Sequence, residues 1–319
     1  MWSKILGKTW LKEWENIDWK NTQIILHAIK AGKFIVSNGL YILWFIINFY
    51  VARAIVGNQS LVIAIYVISI ATALSPMGEA ILRIIENCRE IATKEEKTYL
   101  LPLFEEVFER AKEIDPILND EIQLYIIDGM HIDSFAVGQT TIAVTRGAIS
   151  TLTEEELKGL IAHELGHMSY GHTKARLIVK IGNAFFALLV RGSKLLSKIT
   201  EEIYRLIAKR SFWKAVIIAL IYITRYITDA LIFLFITSGE ILIAYNSRLH
   251  DTQADKFAYK MGYGQELISA LYLLQKITIH SKITVMERAK AMRPFIAFRI
   301  RDLEQLEDDD ENTEEEQDE

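Results

Sequence analysis

The sequence predicts a mainly α-helical integral membrane protein made of helical hairpins and a small α+β domain. The membrane part is predicted by two runs, 34–52 and 54–78, that carry no charged side chain, since about 20 apolar residues cross a bilayer core. The α+β part is predicted by alternating, β-branched stretches that follow residue 80. With 319 residues, 51% of them hydrophobic, the chain can build a sizeable core, which excludes a disordered protein.

Residues 1–33 form a basic, Trp-rich segment that we expect at the membrane interface. It holds four of the six tryptophans among six lysines, and both residue types suit the headgroup region. The net charge of −5 hides a basic body, because residues 302–319 carry twelve Asp and Glu and no Lys or Arg. We expect the acidic tail, 304–319, to be disordered. No cleavable signal peptide is recognisable, and the single cysteine, Cys88, excludes an internal disulfide.

The charge pattern around the apolar runs predicts the topology of a multi-pass membrane protein. A first transmembrane hairpin over 34–78 has basic residues on both flanks, which places both its ends in the cytoplasm. A second apolar hairpin over 177–245 begins with a short run that contains Lys180, and basic residues lie between its two helices. This second hairpin either crosses the membrane or inserts shallowly.

The α+β domain is predicted from two stretches, 79–176 and 246–303, with the second hairpin inserted between them. An amphipathic helix is expected over Glu95–Ile114. Short strands are expected over three stretches, Ile122–Asp128, Ser134–Gly138 and Thr140–Thr145.

A metal-binding motif lies on the next predicted helix. Thr153 and Glu156 form a capping box, and the helix should run to about Gly171. It carries an H-E-x-x-H sequence, His163, Glu164 and His167, in which the i, i+4 spacing puts both imidazoles on one face. Glu164 lies beside them, where a carboxylate can accept a proton from metal-activated water. The domain is therefore predicted to be a zincin-type metalloprotease with Glu164 as the catalytic residue.

Two histidines leave a catalytic zinc ion one protein ligand short. A helix expected over Asn246–Gly262 supplies Asp251 and Asp255, one turn apart. We assign Asp251 as the third ligand of one Zn²⁺ per chain, and Asp255 as the acceptor that fixes a ligand imidazole through its other nitrogen. His250 is the competing third ligand.

Four blocks of the sequence resemble the HtpX-like membrane zinc metalloproteases, relatives of the CAAX prenyl endopeptidases in the gluzincin group. The blocks are Ser134–Gly138, Ile142–His172, Ser247–Ala258 and Arg293–Leu303. The resemblance implies four apolar segments, a zinc site on the cytoplasmic side of the inner membrane, and hydrolysis of misfolded or unassembled membrane proteins without ATP. Such an enzyme would serve protein quality control and the stress response.

Three positions depart from the pattern of that family. Asp251 stands where the family has a zinc-binding Glu, Arg293 where it has His, and Ser134 where it has Asn. Because Asp reaches less far from its backbone than Glu, either its helix packs closer to the H-E-x-x-H helix or the site is weaker. Gly166 and Ala254 leave room for a close approach.

Substrate recognition is assigned to the short predicted strand of Ser134, Phe135, Ala136, Val137 and Gly138. It is expected to pair with an extended substrate backbone by β-augmentation, so unfolded chains and membrane proteins qualify as substrates. The candidates for oxyanion stabilisation or substrate contact are Tyr170, His172 and His131.

One alternative function stays open at this point. A catalytically silent membrane adaptor could use the same fold to bind proteins and keep zinc as a structural ion, although its only support is the Asp at position 251. A role in nucleic-acid binding is not expected, because the sequence has no basic stripe and no phosphate-binding glycine loop.

Overall fold

The computed structural model describes residues 31–32, 34–181, 191–192, 195, 198–199, 201–202, 212–277 and 295–318. The chain is mainly helical with one small mixed sheet, as the sequence predicts. Three regions lie outside the described residues, except for a few positions: the Trp-rich segment 1–33, most of the short apolar run that begins the second hairpin, and Arg293.

The first predicted hairpin is formed by two helices. Helix α1 spans Gly39–Val56 and α2 spans Gln59–Leu74. Gly57 makes the turn between them in the left-handed conformation (φ 70°), which glycine adopts without strain. The Asn58 side chain then caps the start of α2.

The sequence predicts that the second helix of the hairpin ends at residue 78, but in the structure it ends at Leu74. The chain bends by 75° at Ser75 and continues as α3, Pro76–Ile85. Proline at the first helical position has no N–H to offer the preceding turn, so a new helix starts there. Helix α1 and the segment Tyr222–Lys260 are each long and apolar enough to cross a membrane, and α2 with α3 is a third candidate if the bent pair is one span.

The second hairpin and the helix expected over Asn246–Gly262 are not separate elements in the structure. One continuous helix, α7, spans Phe212–Lys260 with 49 residues. It contains no proline, and its one glycine is tolerated inside a helix, so nothing in the sequence ends it before Gly262. The first arm of that hairpin is described as a helix only over 172–181.

Four short strands form the sheet, in the order β1-β2-β4-β3. Strands β2 (Gln123–Ile127), β3 (Ser134–Val137) and β4 (Thr141–Thr145) lie where the sequence predicts them. Strand β1 (Cys88–Glu90) was not predicted, because three residues are too short to show a period of two. Pairing is parallel between β2 and β4 and antiparallel elsewhere, and β3 is an edge strand among the described residues.

The main core surrounds the H-E-x-x-H helix, α6, which spans Glu154–Ser169 and starts with the predicted capping box. Helix α6 packs against the sheet, against α7, and against α4 (Lys94–Ile114) and α8 (Gly264–Ile277). Buried apolar side chains from all of these elements form one cluster, which includes Val107, Ile142, Leu157, Ile161, Leu165, Phe257, Leu267 and Leu271. A short helix, α5 (Arg146–Thr151), links the sheet to α6.

The expectation of a disordered acidic tail is wrong for the described part of it. Helix α9 spans Ile296–Asp318 and includes residues 304–318. Ile300 and Leu303 are buried in the core, and the Tyr259 hydroxyl donates hydrogen bonds to the carbonyl of Leu306 and to Asp310. These contacts anchor the helix, and glutamate, which is abundant in the tail, is a good helix former.

Candidate metal centre

His163, His167 and Asp251 come together in the structure. Each offers one ligand atom, these atoms all lie within 4.8 Å of one another, and all three residues are buried. Both histidines belong to α6, and Asp251 belongs to the part of α7 that packs across it. Two imidazoles and a carboxylate form a ligand set that suits Zn²⁺ and leaves a fourth position open.

The bonding of Asp251 supports this reading of the cluster. Its Oδ1 lies 3.2 Å from Nε2 of His167, and its buried Oδ2 has no hydrogen-bond partner among the described residues. An unpartnered carboxylate oxygen away from water costs free energy, which a bound cation offsets. The residues present therefore fit a divalent metal ion.

His163 is oriented by a buried ion pair. Its Nδ1 lies 2.7 Å from Oδ1 of Asp255, which leaves Nε2 as the nitrogen that could bind a metal ion. Both oxygens of Asp255 accept hydrogen bonds from Arg299, at 2.8 Å from Nε and 2.6 Å from Nη2. Asp255 thus has the position that the sequence assigns to it, beside a ligand imidazole.

Arg299 is the residue of this site that the sequence reasoning missed. It lies on α9 and is only 7% exposed. Its position in the Arg293–Leu303 block could have indicated this role, because a buried arginine among the apolar residues of a packed helix needs a carboxylate partner.

His167 is oriented by another histidine. Nδ1 of His172 lies 3.1 Å from Nδ1 of His167, so Nε2 of His167 is the nitrogen that faces Asp251. Burial lowers the pKa of His172 far below its usual range, and its ring is therefore neutral. His172 is fully buried, so the structure contradicts its expected role as an oxyanion or substrate contact.

Glu164, the candidate base, is held by the edge strand. The Ser134 hydroxyl donates a 2.7 Å hydrogen bond to Oε1 of Glu164, and both side chains are buried. The first residue of β3 therefore fixes the carboxylate beside the candidate metal ligands. The strand assigned to substrate and the residue assigned to catalysis lie side by side.

Helices α6 and α7 approach each other closely at Gly166. A Cβ at this position would lie 2.9 Å from Cα of Ala254 and 3.0 Å from its carbonyl oxygen, well inside ordinary contact. The two small residues that the sequence singles out do face each other. This close approach brings the short side chain of Asp251 to the two histidines.

The remaining candidates lie around this centre. The Tyr170 ring is half-buried and stacks on His172, with centroids 5.5 Å apart. His131 is exposed in the loop before β3. His250 is buried and also stacks on His172, with centroids 3.8 Å apart, and its Nε2 lies 3.0 Å from the carbonyl oxygen of Ser37. The structure thus brings Asp251, and not His250, to the two histidines.

Comparison with known proteins settles the family. The model of the family described as Peptidase family M48 matches residues 100–307, which is more than half of the chain. The chain belongs to peptidase family M48. The matched M48 region includes β3, the H-E-x-x-H helix, Asp251 and Arg299.

Several relatives of this chain are named as proteases. "Protease HtpX homolog" of Helicobacter acinonychis (strain Sheeba) is 36% identical over 104 residues, which are 31% of this chain and 31% of that protein. The protein of the same name from Methylacidiphilum infernorum (isolate V4) is 24% identical over 198 residues, 60% of this chain and 62% of the other. "CAAX prenyl protease 1 homolog" of Homo sapiens is 33% identical over 132 residues, 38% of this chain and 24% of that protein.

This chain spans about a third of the length of the Helicobacter relatives that it matches. Among solved structures, the crystal structure of S. mikatae Ste24p is similar over 90% of this chain and 66% of its own, with a TM-score of 0.46 and 17% sequence identity.

Proposed function

We propose that this chain is a membrane-anchored zinc endopeptidase that hydrolyses misfolded or unassembled membrane proteins. The observation that carries the proposal is the buried cluster of His163, His167 and Asp251, beside Glu164 and next to an edge strand. Membership of peptidase family M48 and the names of the HtpX and CAAX protease relatives support the reaction class.

Each residue of the centre has a role in this proposal. Zn²⁺ held by His163, His167 and Asp251 would supply a Lewis acid and would lower the pKa of a coordinated water toward about 7. Glu164 accepts the proton of the attacking water and passes it to the leaving amine. Ser134 keeps the Glu164 carboxylate in place, while Asp255 and Arg299 orient His163.

The edge of β3 supports a substrate-binding role. The Thr145 N–H donates a hydrogen bond to the carbonyl of Asp133. In an antiparallel pair, the residues of each strand alternate between facing the partner strand with their backbone N–H and C=O and facing away from it. The N–H and C=O of Ala136 therefore face away from β4. A cavity of about 200 Å³ is lined by Phe135–Val137 and, from the helix that follows α6, by Thr173, Arg176 and Leu177. An extended peptide in this groove would pair with backbone groups, which favours broad selection of unfolded chains.

The turn that ends β3 is fixed by helix α3, which follows the first hairpin. Glu79 on α3 accepts hydrogen bonds from the N–H groups of Gln139 and Thr140 and from the Thr140 hydroxyl. Gly138 is left-handed (φ 64°), and a Cβ there would collide with the Glu79 side chain. The proposed substrate groove is therefore attached to α3, which together with α2 is the third candidate membrane span.

We place the domain on the cytoplasmic side of the cell membrane, because basic residues flank the first hairpin at both ends. A cysteine-accessibility scan in intact cells, on a Cys88-free background, tests this orientation. A cysteine at Thr153 should be protected from an impermeant reagent. Labelling from outside would overturn the placement, and the same scan at Lys198 distinguishes crossing from shallow insertion of the second hairpin.

The activity is tested with the full chain purified in detergent. The protein should hold one zinc ion per chain and cleave unfolded casein. Glu164→Gln should keep zinc and lose about 10²- to 10⁴-fold in rate, the usual contribution of a general base. Zinc binding without cleavage by the unchanged protein would favour the silent adaptor instead.

A further inference from the structure

His167 is held on the side away from Asp251 by His172, in a contact that depends on one proton. The two Nδ1 atoms lie 3.1 Å apart, and two ring nitrogens form a hydrogen bond only if one donates and the other accepts. The pair therefore has two possible hydrogen-bond arrangements. Either His167 donates to His172, or His172 donates to His167.

The partners of the other nitrogen of His172, Nε2, decide between these arrangements. Nε2 of His172 lies 2.9 Å from Oε1 of Gln253 and 2.7 Å from Oγ of Ser37. The Ser37 hydroxyl donates its own proton to the same Oε1 of Gln253. A carboxamide oxygen only accepts, so the nitrogen that faces it must carry the proton. His172 is therefore protonated at Nε2, and its Nδ1 is an acceptor.

The tautomer of His172 then fixes that of His167. Because Nδ1 of His172 accepts, Nδ1 of His167 carries a proton and its lone pair is on Nε2, the atom that lies 3.2 Å from Asp251. A metal ion needs a lone pair on the ligating nitrogen. In the opposite arrangement, Nε2 of His167 would carry the proton and donate it to Oδ1 of Asp251, so His167 would offer no lone pair to the metal.

Packing keeps the His172 ring in the plane that these bonds require. The ring is fully buried, and two aromatic rings stack on it, His250 at 3.8 Å and 7° and Tyr170 at 5.5 Å and 10°. Because the ring is fully buried, bulk water does not compete for either partner of His172. The orientation of His172 is therefore set by the fold before a metal ion binds.

We propose that His172 is a positioning residue of the metal centre, which Gln253 and Ser37 hold as an acceptor and which holds His167 in the metal-binding tautomer. It serves His167 as Asp255 serves His163, with a neutral ring in place of a carboxylate. Ser37 lies two residues before α1, so the segment leading into a candidate membrane helix takes part in the network. The inference rests on the metal centre of the proposed function and not on its catalytic step.

Zinc affinity of the full chain in detergent tests the role of His172, by competition with a chromophoric chelator. His172→Phe keeps a ring in the stack but removes the acceptor, and zinc affinity should fall by about 10- to 100-fold. His172→Asn puts an amide oxygen near the place of Nδ1 and should recover most of that loss. His131→Asn, the same change at an exposed histidine, is the matched control and should bind zinc as the unchanged protein does.

Gln253 provides a second pair of variants that leaves the ring itself intact. Gln253→Leu removes the acceptor that selects the His172 tautomer and should weaken zinc binding, whereas Gln253→Glu keeps an acceptor and should not. If the metal-free His172→Phe protein is unfolded, as judged by its thermal transition, this pair decides the question.

The inference is overturned if His172→Phe binds zinc normally, or if the Phe and Asn variants lose affinity equally. Equal affinity of Gln253→Leu and Gln253→Glu would also overturn it. A different result separates the two proposals. If His172→Asn and Gln253→Glu bind zinc normally, His172→Phe and Gln253→Leu bind it weakly, and the unchanged protein does not cleave casein, the proposed peptidase is refuted and the role of His172 stands.

Discussion

Replacing Gly166 with alanine should move Asp251 away from the two histidines. The added Cβ would lie 2.9 Å from Cα of Ala254 and 3.0 Å from Cβ of Phe257, where ordinary contacts are 3.4–4 Å. Helices α6 and α7 must therefore separate locally by about 0.5 Å or more. Zinc–ligand distances tolerate only about ±0.2 Å, so the carboxylate can no longer reach the metal without strain.

The magnitude follows from the cost of overpacking, about 1–3 kcal/mol. If the metal-bound state requires the close approach, zinc affinity of Gly166→Ala should fall by about 5- to 160-fold. Asp251→Glu alone should also weaken zinc binding, because the longer side chain overshoots a site built for Asp. In the double variant, the longer glutamate side chain spans the wider gap between the helices, and zinc affinity should exceed that of either single variant.

A chelator competition on the four proteins of this cycle measures the coupling between the two positions. Gly159→Ala is the control. Gly159 also lies on α6, but a Cβ there would lie 2.6 Å from the backbone nitrogen of Leu267 on α8, so the substitution overpacks α6 against α8 and not against α7. It should lower the unfolding temperature without any rescue by Asp251→Glu. Additive losses in the Gly166 cycle, or stronger zinc binding by Asp251→Glu alone, would refute this account of the short aspartate.

Three further substitutions test the surroundings of the centre. Arg299→Met leaves Asp255 buried without its guanidinium partner and should lower the free energy of unfolding by about 3–5 kcal/mol, measured by chemical denaturation; no loss would mean that the ion pair is not buried as described. Ser134→Ala removes the hydrogen bond to the Glu164 carboxylate, worth about 1.5–3 kcal/mol, and should lower kcat/KM for casein at least tenfold with zinc content unchanged. Glu79→Ala frees the turn after β3 and should raise KM for casein more than it lowers kcat in steady-state kinetics; a pure kcat effect would contradict its link to the substrate groove.

The local signals in the sequence were enough for the elements that carry the chemistry. The capping box at Thr153, the i, i+4 histidines and the alternating strands are short-range patterns, and each appears in the structure within one or two residues. The small size of Gly166 and Ala254 indicated room for a close approach of the two helices, but only the structure shows that these residues face each other.

Other features depend on contacts between distant parts of the chain. Arg299 lies 44 residues after Asp255, and His172 meets Ser37 across 135 residues, so no local pattern reports either contact. The acidic tail was misjudged for the same reason, since its order depends on Tyr259 and on the buried side chains at the start of α9. The uninterrupted α7 was divided at a change of polarity, although a helix passes through such a change when no breaker is present.

Metal content measured on two variants tests the central assignment most directly. The full chain purified in detergent and freed of loosely bound metal should hold one zinc ion, and Glu164→Gln should hold the same amount. Asp251→Ala should lose zinc and casein cleavage together, because two imidazoles alone leave the ion short of a protein ligand. Unchanged zinc content in Asp251→Ala would contradict the ligand assignment and would make His250 the next residue to test.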